Sequence, residues 1–195
     1  MSRLETPFRY DHVGSFLRPE KLKEARRKFD DGDIGYDELK KVEDEAITEL
    51  VGRLKEIGYH VITDGEFRRA TWHLDFMWGL DGVEHQNTGN GVQFDAELAV
   101  LDDTYLVGPI RAKAHPFVEY FKFLKQFEDE NTVAKYTIPA PAQTFQQFIV
   151  PNNIEGTRKF YPDNEALIQD IAAAYRDIIR QFYDCLLYTS PSPRD

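Results

Sequence analysis

Residues 36–66, YDELKKVEDEAITELVGRLKEIGYHVITDGE, decide the fold. From 36 to 57 apolar side chains recur at three- and four-residue steps, placing Val42, Ala46, Leu50, Leu54 and Ile57 on one face of an expected helix. Gly58 supplies the stop, because glycine accepts the left-handed conformation that closes a helix. Residues 59–63 (YHVIT) then read as a buried strand, ended by Asp64-Gly65-Glu66. Upstream, residues 8–13 (FRYDHV) read as a short strand ended by Gly14-Ser15. Pro19 opens a helix over 20–30, at an early position where its missing N–H does no harm, and Asp31-Gly32-Asp33 breaks it. Strand, helix and strand make a βαβ unit, which implies a parallel pair joined by a right-handed crossover.

The pattern changes downstream. Residues 79–110 are rich in Gly and Asn and carry alternating stretches (VQFDAELAV, TYLVG), the signature of an inserted hairpin. Residues 115–127 read as a helix, 132–138 (TVAKYTI) as a third core strand ended by Pro139-Ala140-Pro141, and 163–184 as a last helix. Leu167, Ile171, Ala174 and Ile178 share one face of that helix. The expected fold is α/β: three parallel strands, each followed by helix. Three strands cannot close a barrel, so the chain is expected to be the amino-terminal portion of something larger. Residues 185–195, CLLYTSPSPRD, read as the translation of a transposase adapter from sequencing-library preparation and are set aside from fold reasoning. A flexible Ser-Pro-rich terminus is the other reading. On the first reading residues 1–184 are the native part, and the natural protein continues past Asp184.

Composition narrows the function classes. An apolar content of 42% supports a real core, and a net charge of −10 argues against a nucleic-acid partner, which needs a basic face for phosphates. No apolar run has the length of a membrane span and Met1 is not followed by a signal-peptide core, so a cytoplasmic enzyme is expected. One cysteine, Cys185, builds neither a disulfide framework nor a Cys-based metal motif.

Ligand groups in βα barrels come from the carboxyl ends of strands. Gly14-Ser15 is either a simple turn or a cradle offering a backbone N–H and a hydroxyl to a carboxylate. Asp64-Gly65-Glu66 places two carboxylates at one strand end, with Gly65 allowing close backbone approach. That suits an ammonium group or a metal, or else a solvated turn pairing with Arg68 and Arg69. Pro139 and Pro141 form a pocket wall or an ordinary rigid loop. The run Trp72-His73-Leu74-Asp75-Phe76-Met77-Trp78 either packs as an apolar lid or stacks a planar ligand. His12, His73, Asp64 and Glu66 lack the His-x-x-x-His spacing of a helical metal site, so no metal ligand is expected among them. His60, His85 and His115 read as structural.

Three segments carry a resemblance: DHVGSFLRP (11–19), GYHVITDGEFRRATWHLDFMWGLDGVE (58–84) and KYTIPAPAQ (135–143). Together they resemble the cobalamin-independent methionine synthase family, and most of all its shorter single-barrel branch. The likeness runs from about residue 8 to 184. It implies a TIM-type (β/α)8 barrel that moves a methyl group from 5-methyltetrahydrofolate, usually polyglutamylated, to the thiol of homocysteine. It also implies a zinc ion that holds that thiol as the thiolate, the nucleophilic form. By resemblance, Val13, Gly14 and Ser15 contact the homocysteine carboxylate and Glu66 holds its amino group. Trp72 is a candidate border of the folate. The family's zinc ligands, a His-x-Cys pair with a later Glu and Cys, belong to the second half of the barrel and are not in this chain. The chain departs from the long enzymes at Asp11-His12, where they carry a hydroxyl residue, and at Asp64, where they carry a His. These departures leave open another methyl donor, or another thiol such as coenzyme M. As written, the chain also reads as an inactive half barrel.

Overall fold

The computed structural model describes residues 12–86, 91–93, 98–100 and 103–187. In chain order the elements are α1 (Glu20–Asp30), α2 (Tyr36–Glu56), β1 (Val61–Ile62), α3 (Leu74–Trp78), β2 (Asp81–Gln86), β3 (Gly91–Gln93), β4 (Leu98–Val100), β5 (Asp103–Arg111), α4 (Pro116–Lys125), β6 (Val133–Ala134), α5 (Pro141–Ile149), α6 (Pro151–Thr157) and α7 (Asn164–Leu187). The architecture is mixed α/β. The chain divides into two compact units: residues 1–70 with 121–137, and residues 71–120 with 138–195. Residues 8–11 of the expected first strand, and residues 188–195 of the tail, lie outside the described residues.

In the first unit, α2 carries its own start and stop. Asp37 and Glu38 lie in its first turn and Arg53 and Lys55 in its last, each complementing the helix dipole. At its end Gly58 takes φ 87°, its N–H donates to Lys55 O at 3.0 Å, and Tyr59 N–H donates to Leu54 O at 2.9 Å. Those two bonds are a Schellman closure, and they aim the chain into β1. The buried face of α2 is Leu39, Glu43, Ala46, Ile47, Val51 and Leu54. This corrects the expected stripe: Ile57 is 70% exposed, Val42 and Leu50 are only partly buried, and Ile47 and Val51 take the central places. The rotation has a physical reason, since Glu43 turns inward to meet Arg26 and Arg68. Ala46, Ile47, Val51 and Leu54 then close a core with Leu22 of α1, Ile62 of β1, Phe67 and Leu124 of α4.

β1 and β6 pair in parallel, Val61 with Val133 and Ile62 with Ala134. The bonds are Val133 N–H to His60 O and Lys135 N–H to Ile62 O, both 2.9 Å. The expected strands 59–63 and 132–138 thus shorten to two residues each. Past Ile62 the side chains of Thr63 and Asp64 take the next backbone N–H groups, so the chain turns instead of extending the ladder.

The second unit holds an antiparallel pair, β2 with β5, running from Asp81↔Arg111 to Gln86↔Asp103, with a bulge of β5 opposite Gly82, between Asp81 and Val83. A second antiparallel pair joins β3 to β4. Both lie in the stretch expected as a hairpin, whose last strand extends one residue beyond it. Gly82 has φ 81°, and a Cβ there would collide with the Pro109 carbonyl, so the bulge requires glycine. Leu167, Ile171, Ala174 and Ile178 of α7 are all buried, as the periodicity requires. Helices α5 and α6 were not anticipated. Pro141 and Pro151 sit at their first turns, where proline starts a helix rather than ending one. Tyr161 ties this unit together: its hydroxyl accepts from Ile110 N–H at 2.6 Å and donates to Asp170 at 2.7 Å. Among the described residues no helix is long and apolar enough to cross a membrane.

Candidate functional site

The turn that follows β1 is the most constrained backbone in the first unit. Gly65 takes φ 66° and Glu66 takes φ 57°, and Glu66 is the one non-glycine residue with positive φ among the described residues. Two side-chain bonds impose this shape. Gly65 N–H donates to Thr63 Oγ1 at 3.1 Å and Glu66 N–H donates to Asp64 Oδ1 at 2.9 Å. A glutamate in the left-handed region costs about 1–2 kcal/mol, so its persistence needs a surrounding that over-determines it. The surrounding is present. Arg18 donates to Glu66 O at 3.1 Å and to Arg69 O at 2.6 Å, clamping both ends of the turn. Phe16 N–H donates to Gly65 O at 3.2 Å.

Asp64, Glu66 and Arg69 are all buried, at 3%, 9% and 2% exposure. Glu66 Oε1 lies 3.5 Å from Arg69 Nη1 and 3.4 Å from Thr137 Oγ1. Arg69 also donates to Thr137 O at 2.6 Å, and its guanidinium lies 4.9 Å from the Tyr136 ring centre. Burial pushes the Tyr136 hydroxyl well above the ordinary phenol range, and the Asp64 carboxylate adds to the rise. Tyr136 therefore stays protonated at neutral pH. The contacts of Glu66 are long, so its carboxylate is positioned without being saturated.

The parallel register explains why these groups meet. Asp64 is two residues past Ile62 and Tyr136 two past Ala134, so both stand at strand ends on the same side of the pair. Val13, Gly14 and Ser15 belong to the same unit, and the Phe16–Gly65 bond ties their segment to the Glu66 turn. Val13 is 77% exposed, Ser15 is exposed, and Gly14 takes φ 94°. Lys135 Nζ donates to His12 O at 2.7 Å, fixing the segment from its other side. Trp72 belongs to the second unit, where it is 53% exposed with its ring 4.4 Å from His73. Asp75, on α3, accepts from Thr71 N–H at 2.7 Å and Thr71 Oγ1 at 3.0 Å, so this part of the aromatic run is a capped turn.

Sequence reasoning missed Arg18, Tyr136 and Thr137 as members of the site. Arg69 was legible beside the acidic turn, whereas Thr137 reaches Glu66 only through the β1–β6 register. Arg68, one residue before Arg69, turns the other way: it pairs with Glu43 at 3.0 Å and with Asp44, inside the core. His115 is structural. Its Nε2 bonds to Phe76 O at 2.9 Å and its Nδ1 accepts from Phe117 N–H at 3.2 Å. A cavity of about 470 Å³ in the first unit is lined by Phe16, Leu50, Leu54 and Phe67 but by neither Asp64 nor Glu66, so it is not the polar site. Among the described residues no three His, Cys, Asp or Glu side chains group to hold a metal.

The carboxyl end of a parallel strand, where this acidic turn stands, is where barrel and doubly wound α/β folds gather ligand groups. No family model matches the sequence. Two curated relatives do, both from Bacillus subtilis (strain 168) and both uncharacterized. YxjH is 38% identical over 180 residues, covering 92% of this chain and 46% of its own length. YxjG is 35% identical over 184 residues, covering 94% and 47%. The chain spans about half the length of the curated relatives it matches. Among solved structures, a Listeria monocytogenes protein provisionally named a vitamin-B12-independent methionine synthase matches at 39% identity and TM-score 0.74, covering 94% of this chain and 50% of that one. A B12-independent methionine synthase from Shewanella sp. W3-18-1, solved with selenomethionine, matches in fold at 18% identity and TM-score 0.62, covering 88% and 47%. The resemblance read in the sequence therefore holds in the fold: over nearly its whole length this chain is similar to the cobalamin-independent methionine synthases.

Proposed function

We propose that this chain is the amino-terminal part of a TIM-type barrel methyltransferase that makes methionine in the cytoplasm, and that it carries the amino-acid half of the substrate site. The observation that carries the reading is Glu66, a buried carboxylate held in left-handed backbone at a strand end. In this reading Glu66 receives the α-ammonium of homocysteine. Gly14 and Ser15, with the Val13 backbone, receive the α-carboxylate. Trp72 borders the methyl donor, 5-methyltetrahydrofolate. The reaction moves a methyl group from the folate nitrogen to the homocysteine sulfur, and this chain's residues bind and orient the acceptor. Arg18 and Arg69 hold the turn so that the Glu66 carboxylate is in place before substrate arrives, which lowers the ordering cost of binding. The described residues do not form a zinc site. We assign zinc to side chains in the part of the relatives' length that this chain does not span, and no step here is routed through it.

Glu66→Gln tests the reading in the full-length protein. It keeps the size and backbone of the residue and removes the charge. The expected result is a loss of homocysteine affinity of about 1–3 kcal/mol by calorimetry, the scale of a charged hydrogen bond. Unchanged affinity removes Glu66 from the site.

A further inference from the structure

Helix α7 is apolar on two sides. Leu167, Ile171, Ala174 and Ile178 form its buried face. A second stripe, Ile168, Ala172, Ile179 and Tyr183, also follows the helical repeat and lies about a third of a turn from the first. Ile168, Ile179 and Tyr183 are 46%, 55% and 57% exposed, and Ala172 is exposed too. Towards the start of the helix the stripe opens into a groove of about 260 Å³ between α7 and α5. Its lining is wholly apolar: Pro141, Ala142, Phe145, Ile168, Ile171 and Ala172. Single exposed apolar residues need no explanation, but an apolar stripe continuous with an apolar groove marks a surface that a partner covers.

The shape of the surface and the length of the relatives narrow the partner. Side chains at three- and four-residue steps form ridges that interleave with the ridges of another helix. The curated relatives are about twice as long as the part this chain matches, and elements consecutive in a chain are usually neighbours in space. A second copy fits worse. Arg176 and Arg180 stand exposed beside the middle of the stripe, Arg180 with Asp177 at 3.9 Å. A two-fold pairing of α7 with itself sets these arginines against their own copies, and each copy brings a net charge of −10. We infer that the exposed stripe of α7, with the groove beside α5, docks a helix from the natural protein's continuation beyond residue 184, with an apolar face on the stripe and acidic residues along the arginine rim. This rests on the amino-terminal placement proposed above and deepens it, by naming the surface through which this part holds the remainder.

Hydroxyl-radical footprinting of the unmodified full-length protein reads the face without any substitution. Tyr183 and Tyr36 are similarly exposed here, at 57% and 50%. In the full-length protein Tyr183 is expected to oxidise several-fold more slowly than Tyr36, and equal rates would overturn the inference. The identity of the cover is read by placing the photo-reactive residue p-benzoylphenylalanine at position 168 or 172 of the full-length protein, with thermal melts confirming folding. The expected cross-link leaves the protein at monomer mass and joins that position to a peptide beyond residue 184. A product at dimer mass would assign the stripe to a second copy, and a product confined to residues 1–184 would show that this part covers itself; either overturns the inference. Homocysteine titration of Glu66→Gln separates the two readings. Unchanged affinity with the expected cross-link leaves the docking surface standing and removes the site, and the converse pair of results removes the surface alone.

Discussion

Glu66 and His115 both depart in local chemistry from what their residue types prefer. Glu66 keeps a backbone conformation that glycine would adopt freely, and the four bonds from Thr63, Asp64, Arg18 and Phe16 that shape its turn show how the strain is sustained. His115 is 2% exposed and uses both ring nitrogens as a neutral imidazole. Burial pushes its pKa down to about 4, Lys113 adds to the fall, and the Phe76 carbonyl opposes it. In the unfolded chain this histidine takes up a proton near its ordinary value of about 6.5. Its folded pKa is depressed, so the unfolded state binds the extra proton first as pH falls. Stability is therefore full above about 6.5 and is lost progressively towards about 4, by up to about 3 kcal/mol. The measurement is urea unfolding at pH 7.5 and pH 5 for the wild type and His115→Gln, with the larger pH-dependent loss expected in the wild type. Equal losses would sink the assignment.

Among the elements, α2 matters most, because it buries a charge. Glu43 is 3% exposed and accepts from Arg26 Nη2 and Arg68 Nη1, each at 3.0 Å. Burial pushes the Glu43 carboxyl up from its ordinary range, and the two guanidinium groups oppose that rise only in part. Glu43→Ala strands the Arg68 guanidinium in the core with Asp44 as its remaining acidic partner in the network. The expected cost is about 3–5 kcal/mol in denaturant unfolding, and a cost below about 1 kcal/mol would show that the network is dispensable. The same helix shows what a sequence reveals and what it hides. Its end was legible because Gly58 is a local stop signal. Its buried face was misjudged by a fraction of a turn, because hydrophobicity alone assigns Glu43 to solvent while its partners Arg26 and Arg68 lie 17 and 25 residues away. Likewise Gly14 and Glu66 were legible as turn residues. Arg18, Tyr136 and Thr137 were not, since only the β1–β6 pairing and the folded Arg18 side chain bring them to the turn. The prolines 139 and 141 misled, because the same residue ends an extended segment and opens a helix.

At the level of the whole molecule, the chain carries a net charge of −10, covers about half of its relatives' length, and holds no grouped metal ligands among the described residues. The purified 195-residue chain is accordingly expected to retain only substoichiometric zinc after dialysis, measured by plasma emission. One tightly held zinc per chain would place a metal site in this half and overturn the assignment of zinc to the other. The first unit is also discontinuous: residues 1–70 belong to it, the next fifty do not, and 121–137 complete it. A ribosome therefore delivers Asp64 and Glu66 long before Tyr136 and Thr137. At about 5–20 residues per second the acidic turn waits roughly 4–15 s for the strand that pairs with β1. Throughout that interval β1 has no β6 beside it, and of the groups that hold the turn only those from residues up to 70 have been made.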